Sequence, residues 1–492
     1  MPTGTPYDAF IHPYPIRVDD FADTATLQTV PALHLLSHTH ADHINGLSAK
    51  SFSATIICSY DAKEMLLRHE VYAERALKEM DIRAENVRTF QHLKVVPKIL
   101  EDGSICYHGS RDLLKPVSLN TPYRHELSND NWVTITLIDA NHCPGSVMFL
   151  IEGAQGAVLH TGDFRAEPWF IQSLTKNPFL QRYIHPTLDS IRTISKQQDG
   201  LENTLRTIYL DTACLLGTDD VPTKDEATAG LVSMMLLYPD TTRFFINGWT
   251  WGYEDLYKAV AKAFGAKIHV DRYKYAVYSH LAHEPFLSSI ITRDEGSTRF
   301  HACERFNRCS EVEVDGRASH TRSGAHVVYV NPVSLSGVAW TSYLKETKQK
   351  LTSGEEVNNL LVPLFRHSPL PELRAFVSLF RPTSVVPNTL DAGLNGLDWL
   401  CLPSMFTDCI SSNSSVMREE IRTYLATRAK SSWKTLLPDL DTEEDVAFKN
   451  LEGEDVLKDA ERWADSGKTR IRLGKMLPYL EGPEKDFVDG LL

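Results

Sequence analysis

Short apolar runs separated by polar turns dominate the first 215 or so residues. Ala32-Leu33-His34-Leu35-Leu36-Ser37 reads as a buried strand, and Ala54-Thr55-Ile56-Ile57-Cys58, rich in β-branched residues, as a second. Residues 133–138, 147–151, 157–160 and 207–210 continue the series. Leu66, Leu67 and Val71 fall near helical spacing, which predicts a helix over residues 61–79. The polar, turn-rich stretch 97–131 predicts a long surface loop.

From about residue 212 the pattern changes. Phe244-Phe245-Ile246 predicts a strand and Asn247-Gly248-Trp249-Thr250-Trp251-Gly252 a tight loop. Residues 253–264 predict a helix with Leu256, Val260 and Phe264 on one face and Gly265 as its stop. Lys267-Ile268-His269-Val270 predicts the next strand, and strand–helix–strand implies a parallel α/β sheet. Residues 360–365 and 383–386 read as strands around a helix at 371–380, and beyond about 411 the chain is polar and mostly helical or loose. There is no internal repeat.

A chain of 492 residues with 42% hydrophobic content has material for two or three domains. It has no apolar run of transmembrane length, so no membrane partner is expected. Its first residues do not read as a signal peptide. Eight scattered cysteines fit a reducing compartment. The net charge of −13 excludes a protein that coats nucleic acid electrostatically. Residues 439–492 hold 15 acidic against 8 basic side chains, so about half the excess sits in an acidic tail.

The chemistry concentrates in His38-Thr39-His40-Ala41-Asp42-His43, three imidazoles and a carboxylate directly after a predicted strand. Imidazole with carboxylate suits zinc and similar metals, and one such loop can serve two metals. His142, within Asn141-His142-Cys143-Pro144-Gly145-Ser146, and Asp163, within His160-Thr161-Gly162-Asp163-Phe164-Arg165, also follow strands. Asp211 ends another strand, and Asp19 precedes the histidine motif. Each is weak alone, because a strand-end Asp is usually a turn residue. The ordered set carries the weight.

That set resembles the metallo-β-lactamase fold, an αββα sandwich. Asp211, the later insertion, and Phe365-Arg366-His367-Ser368 followed by Glu372 are similar to its nucleic-acid-processing β-CASP branch. Within that branch the motifs look like those of the DNA cross-link repair nucleases. The resemblance implies a first core part at 1–211, an inserted β-CASP α/β cap at 212–360, a closing core part at 361–410, and an acidic tail of unknown role at 411–492. It implies His38, His40, His142 and Asp163 as ligands of one zinc, with Asp42, His43 and a bridging Asp163 holding a second metal open to magnesium or manganese. Asp19 would orient the histidine loop. Asp211 and His367 would stand beside the metals, His367 as a hydrogen-bond donor to phosphate oxygens. The implied activity is metal-dependent hydrolysis of DNA at ends, hairpins or overhangs in break or cross-link repair. The nucleus and repair-protein partners are implied with it.

RNA-cleaving members of the branch carry a further His seven residues after the Pro that ends the late helix. Here that position is Thr389, which favours DNA and a weaker second metal site. An RNA-processing endonuclease is the alternative; a non-catalytic scaffold is opposed by the intact ligand set. Lys258, Lys262, Lys267, Arg272 and Lys274 interleave with Tyr257, Tyr273, Tyr275 and Tyr278, as in a single-strand groove. His269, His301, Cys303 and Cys309 offer a closed structural zinc set in the cap, and the resemblance includes a site of that composition.

Overall fold

The computed structural model describes residues 5–22, 27–94, 97–107, 112–185, 204–314, 319–428, 450–463 and 469–492. The core strands are β1 (Ile16–Val18), β2 (Leu33–Leu35), β3 (Ile56–Cys58), β4 (Pro97–Ile99), β5 (Ile105–Tyr107), β6 (Leu114–Pro116), β7 (Tyr123–Ser128), β8 (Asn131–Asp139), β9 (Val147–Gly153), β10 (Gly156–His160) and β11 (Leu205–Leu210). Next come β12 (Arg243–Ile246), β13 (Ile268–His269), β14 (Ile291–Thr292), β15 (Phe300–His301), β16 (Val327–Pro332) and β17 (Asn359–Val362), and last β18 (Ser384–Pro387).

Two sheets face each other. One runs β1-β2-β3-β6, all parallel, and the other β18-β11-β10-β9-β8-β7. Ile16, Val18, Leu35 and Ile57 meet Ile135, Leu137, Phe149 and Val158 between them, all buried. Each such side chain contributes about 1.5–3 kcal/mol by leaving water. The helix Tyr60–Arg68, capped by Ser59 accepting from the Ala62 amide, covers the outer face of the first sheet through Ala62 and Leu66. The helices Leu370–Phe380 and Leu397–Met405 cover the second. The result is an αββα sandwich. β18 pairs with β11, Thr207 opposite Ser384, so late chain completes the core sheet.

The intervening chain forms the parallel sheet β14-β13-β15-β12-β16-β17. Alternation divides its faces. Phe244, Ile246, Val328 and Val330 pack with the helices Lys224–Met235, Glu254–Phe264 and Gly337–Thr352, while Phe245, Val327 and Tyr329 face the other way with Cys303 and Val312. This cap is held to the core helices by ion pairs: Arg272 to Glu70 and Glu79, both at 2.7 Å, and Arg75 to Glu304 at 2.9 Å.

Two expectations are corrected. The helix at 61–79 is two helices, Tyr60–Arg68 and Tyr72–Glu79, parted where Glu70 turns to Arg272. The described part of 97–131 is mostly strand: β4 and β5 form a ribbon, β6 joins the first sheet and β7 the second. Its polar character reflects a wet sheet face, since no β7 residue is buried. The tail, expected to be mostly helical or loose, is largely helical where it is described. Leu473, Met476, Leu480 and Val488 are buried on the core, and the helix Val456–Trp463 lies on the cap. The start of its acidic run, 439–449, lies outside the described residues. No helix among the described residues is long and apolar enough to cross a membrane.

Arg165 joins these parts. Its fully buried guanidinium donates two hydrogen bonds to Glu372, at 2.7 and 2.8 Å, and others to the carbonyls of Phe365 and Pro222. Arg165→Ala leaves Glu372 without its partner and should destabilise the protein by about 3–5 kcal/mol. Equilibrium urea unfolding measures this, and a loss under about 1 kcal/mol would contradict the role.

Candidate metal centre at the sheet edge

The C-terminal ends of β1, β2, β8, β10 and β11 all open onto one edge of the sandwich, which gathers the candidate residues. His38, His40, His142 and Asp163 each offer one ligand atom within 4.8 Å of the others, and all four are buried. Asp19, His38 and His43 form an overlapping group, as do Asp163, Asp211 and His367.

Hydrogen bonds on the far side of each ring fix where its lone pair points. Carbonyls only accept, so His40 Nε2 donates to the Trp251 carbonyl at 3.0 Å and His142 Nδ1 to the Arg366 carbonyl at 2.9 Å. The Ser37 hydroxyl donates to Asp19, so His38 Nδ1 donates to Ser37 Oγ at 2.9 Å. Lone pairs therefore remain on His38 Nε2, His40 Nδ1 and His142 Nε2. These converge, with His40 Nδ1 2.9 Å from His38 Nε2 and 3.2 Å from His142 Nε2. Asp163 Oδ2 closes the set at 3.6 and 3.7 Å from His38 and His142. Four donors facing one another with no proton between them fit a divalent cation.

Beside them His43 Nδ1 donates to Asp19 at 2.9 Å, leaving Nε2 facing Asp163 at 3.3 Å and Asp42 at 3.5 Å. His43 Nε2 and Asp163 Oδ1 are buried with no protein hydrogen-bond partner. Asp42, whose side chain is 54% exposed, is the most open member of the loop. Asp19 also accepts from the Ser37 amide at 2.7 Å, in a left-handed conformation (φ 57°) that these bonds hold.

Burial keeps the His38, His40 and His142 rings neutral, His40 down to about 3, as metal-ligating imidazole requires. Burial opposes charge on Asp163, but His43 beside it holds the carboxyl well below the usual range. Burial also opposes charge on His43, and Asp163, Asp19 and Asp42 outweigh it. His367 Nδ1 is tied to Asp211 at 2.8 Å, and the His367 ring centroid is 4.8 Å from that of His142. Burial disfavours a charged His367, but Asp211 shifts it upward. Asp211 in turn accepts from the Phe164 and Ala213 amides.

Sequence reasoning missed the second tier. The Trp251 carbonyl comes from the cap loop, and Arg366 donates to it at 2.9 Å. Arg366 lay inside a recognised motif; a backbone carbonyl leaves no trace in residue type. Lys224 Nζ also goes unpredicted, donating to Asn141 at the foot of the His142 loop. A cleft of about 1060 Å³ opens beside His142 and Cys143, lined by Lys224, Lys258 and Lys262 but by more carboxylates than lysines.

The five residues of the basic stripe do not share one free face. Arg272 is committed to Glu70 and Glu79, Lys274 is buried against the Ala302 carbonyl, and Lys258 pairs with Glu284 at 2.8 Å. Tyr257, Tyr273 and Tyr278 are buried in the cap. The interleaving reflects helices packing inward, so only Lys262 and Lys267 stay exposed without a described ion pair.

In the cap, the register sets His269 opposite His301. Their Nδ1 atoms are 3.3 Å apart, Cys309 Sγ is 3.3 Å from His301 Nδ1, and the two sulfurs are 3.8 Å apart. Zinc–ligand lengths predict tetrahedral edges of about 3.3 Å between nitrogens and 3.8 Å between sulfurs. The hydrogen bond from Cys309, with help from His269, brings the Cys303 thiol down to about 5 and raises Cys309.

A sandwich with a ligand-rich edge under an inserted α/β cap is the arrangement of the metallo-β-lactamase/β-CASP DNA repair nucleases, which this chain resembles. Residues 285–392 match the family model described as DNA repair metallo-beta-lactamase. The chain is 26% identical over 355 residues to 5' exonuclease Apollo of Rattus norvegicus, covering 72% of this chain and 50% of that protein. It is 26% identical over 378 residues to Protein artemis of Gallus gallus, covering 73% and 44%. Against Protein artemis of Homo sapiens the identity is 24% over 376 residues, covering 73% and 46%. The chain thus spans about half the length of the curated relatives it matches.

Asp163 faces three histidines, so Asp163→Ala should remove at least one bound divalent ion per chain while leaving the circular dichroism spectrum unchanged. Elemental analysis of the two proteins decides it, equal metal content being the contrary result.

Proposed function

We propose that the chain is a metal-dependent nuclease that hydrolyses phosphodiester bonds of DNA at ends, hairpins or overhangs, in break or cross-link repair. The convergence of three imidazole lone pairs and Asp163, with the Asp211–His367 pair alongside, carries this reading. His38, His40, His142 and Asp163 would hold one cation, and Asp42, His43 and Asp163 a second. When bound, such cations acidify a water and neutralise charge on phosphate oxygens.

The chain's own residues supply the rest. Asp211 holds the His367 ring so that Nε2 is free to donate a proton toward the leaving oxygen. Asp19 and Ser37 keep the histidine loop in its ligating tautomers. The Trp251 carbonyl brings the cap down on His40. No side-chain nucleophile is needed.

The donor chemistry supports zinc in the first position, and Thr389, whose hydroxyl donates to Asn388, supports a weaker second position open to magnesium or manganese. The same residue favours DNA over RNA. The nucleus, and partners among the repair machinery, go with this reading. His269, His301, Cys303 and Cys309 are proposed as a structural zinc set, closed because four protein ligands leave no position for water.

Hydrolysis of end-labelled single-stranded, hairpin and overhang DNA, beside RNA of matched sequence, tests the proposal. DNA should be cut faster than RNA, and Asp42→Ala should abolish cutting without unfolding. Near-wild-type cutting by Asp42→Ala removes the nuclease reading; faster RNA cutting replaces DNA with RNA as the substrate.

Cys303→Ser should lower zinc content and melting temperature together, since binding at such a site is coupled to folding of the cap. If both stay at wild-type values, the cluster is packed thiols and imidazoles.

A further inference from the structure

The cap sheet presents three asparagines, Asn247 after β12, Asn331 in β16 and Asn359 in β17, all buried. Asn247 donates to the Asn331 side chain at 3.0 Å. Their remaining hydrogen bonds run to the backbone of one segment of the tail. Asn331 grips Glu452 at both ends, donating to its carbonyl and accepting from its amide, each at 2.8 Å. Asn247 and Asn359 donate to the carbonyls of Asn450 and Glu454, both at 2.6 Å. Side-chain amides that satisfy a segment's backbone in this way read its conformation rather than its sequence.

Sequence is read by other groups. Arg305 and Arg308, on the chain between Cys303 and Cys309, both pair with the Glu452 carboxylate, Arg305 Nε at 2.7 Å. Arg305 also donates to the Asn450 side chain at 2.9 Å. The Arg308 guanidinium lies near both Phe245 and Tyr329, 4.8 and 5.2 Å from the ring centroids. Gly453 has φ 113°, and a Cβ there would sit 2.1 Å from Asn359 Oδ1 and 2.9 Å from the Tyr329 ring. Leu451 and Val456 pack into the cap's apolar cluster.

We infer that this face of the cap is a peptide-recognition groove for an Asn-x-Glu-Gly segment, and that residues 450–456 occupy it as a ligand carried on the chain's own tail. The backbone is read by three asparagines, the carboxylate by two arginines, and the absence of a side chain at the next position by steric exclusion. These elements act on any segment of that chemistry, so the groove also accepts one supplied in trans.

The test uses the full chain and a fluorescent peptide of residues 450–458. In a Glu452→Ala chain the resident segment loses its carboxylate anchor, and the peptide should bind saturably by anisotropy. The wild-type chain, its groove filled, should bind about thirtyfold or more weakly, the cost of a partly buried charged pair converted to affinity. A peptide carrying Gly453→Val should lose at least about tenfold in affinity through the steric clash. Absence of saturable binding to the variant chain, or equal binding of the two peptides, overturns the groove. Circular dichroism checks the fold. If Glu452→Ala unfolds the cap, the Glu452→Gln chain, which keeps the shape and drops the charge, takes its place. Unfolding of both makes the segment an integral part of the cap and likewise overturns the proposal.

Discussion

Imidazole lone pairs that face each other inside a protein repel, and the folded chain tolerates the arrangement because each ring is fixed from behind. Asp19 and Ser37 hold His38 and His43, the Arg366 carbonyl holds His142, and the Trp251 carbonyl holds His40. Burial denies the His38, His40 and His142 rings the alternative of protonation. The histidine loop, the loop after β8, the re-entry of the chain at Phe365 and the cap all have to be in place before those lone pairs converge. Much of the architecture therefore reads as support for one small space.

Cap and core are joined at separate points by different chemistry. At the helices, Arg272 and Arg75 make ion pairs with mostly buried or half-buried partners. At the strand ends, Arg165 gathers the carbonyls on either side of the cap's two chain crossings. The tail adds a third attachment, with helices seated on the core at Leu473 and Val488 and a segment seated on the cap at Asn331. Rigid-body displacement of the cap is opposed at each.

How legible this was in the sequence depended on how the information is carried. Three histidines and an aspartate compressed into six residues could hardly be a chance turn, and strand ends placed His142, Asp163 and Asp211 on the same edge. Element positions followed wherever one face was uniformly apolar, as in β9 and β11. The 97–131 region was misjudged because a strand with a wet face has the composition of a loop. The seating of the tail on the core was not legible because Leu473, Met476, Leu480 and Val488 are spread thinly among charges. Arg272 and Lys274 were misread because counting charges along a line ignores which side of a helix faces inward. The cap's contribution to the site was invisible because it is made by a carbonyl.

That carbonyl makes cap position and metal affinity two descriptions of one equilibrium. With the cap seated, the proton of His40 is held at Nε2 and Nδ1 is left as a donor. With the cap lifted, the ring is free to exchange tautomers and to rotate. A cation held at Nδ1 would favour the seated cap, and by thermodynamic reciprocity anything that lifted the cap would weaken the hold on that cation by the same factor. A polymer bound beneath the cap would act on the metals without touching a ligand.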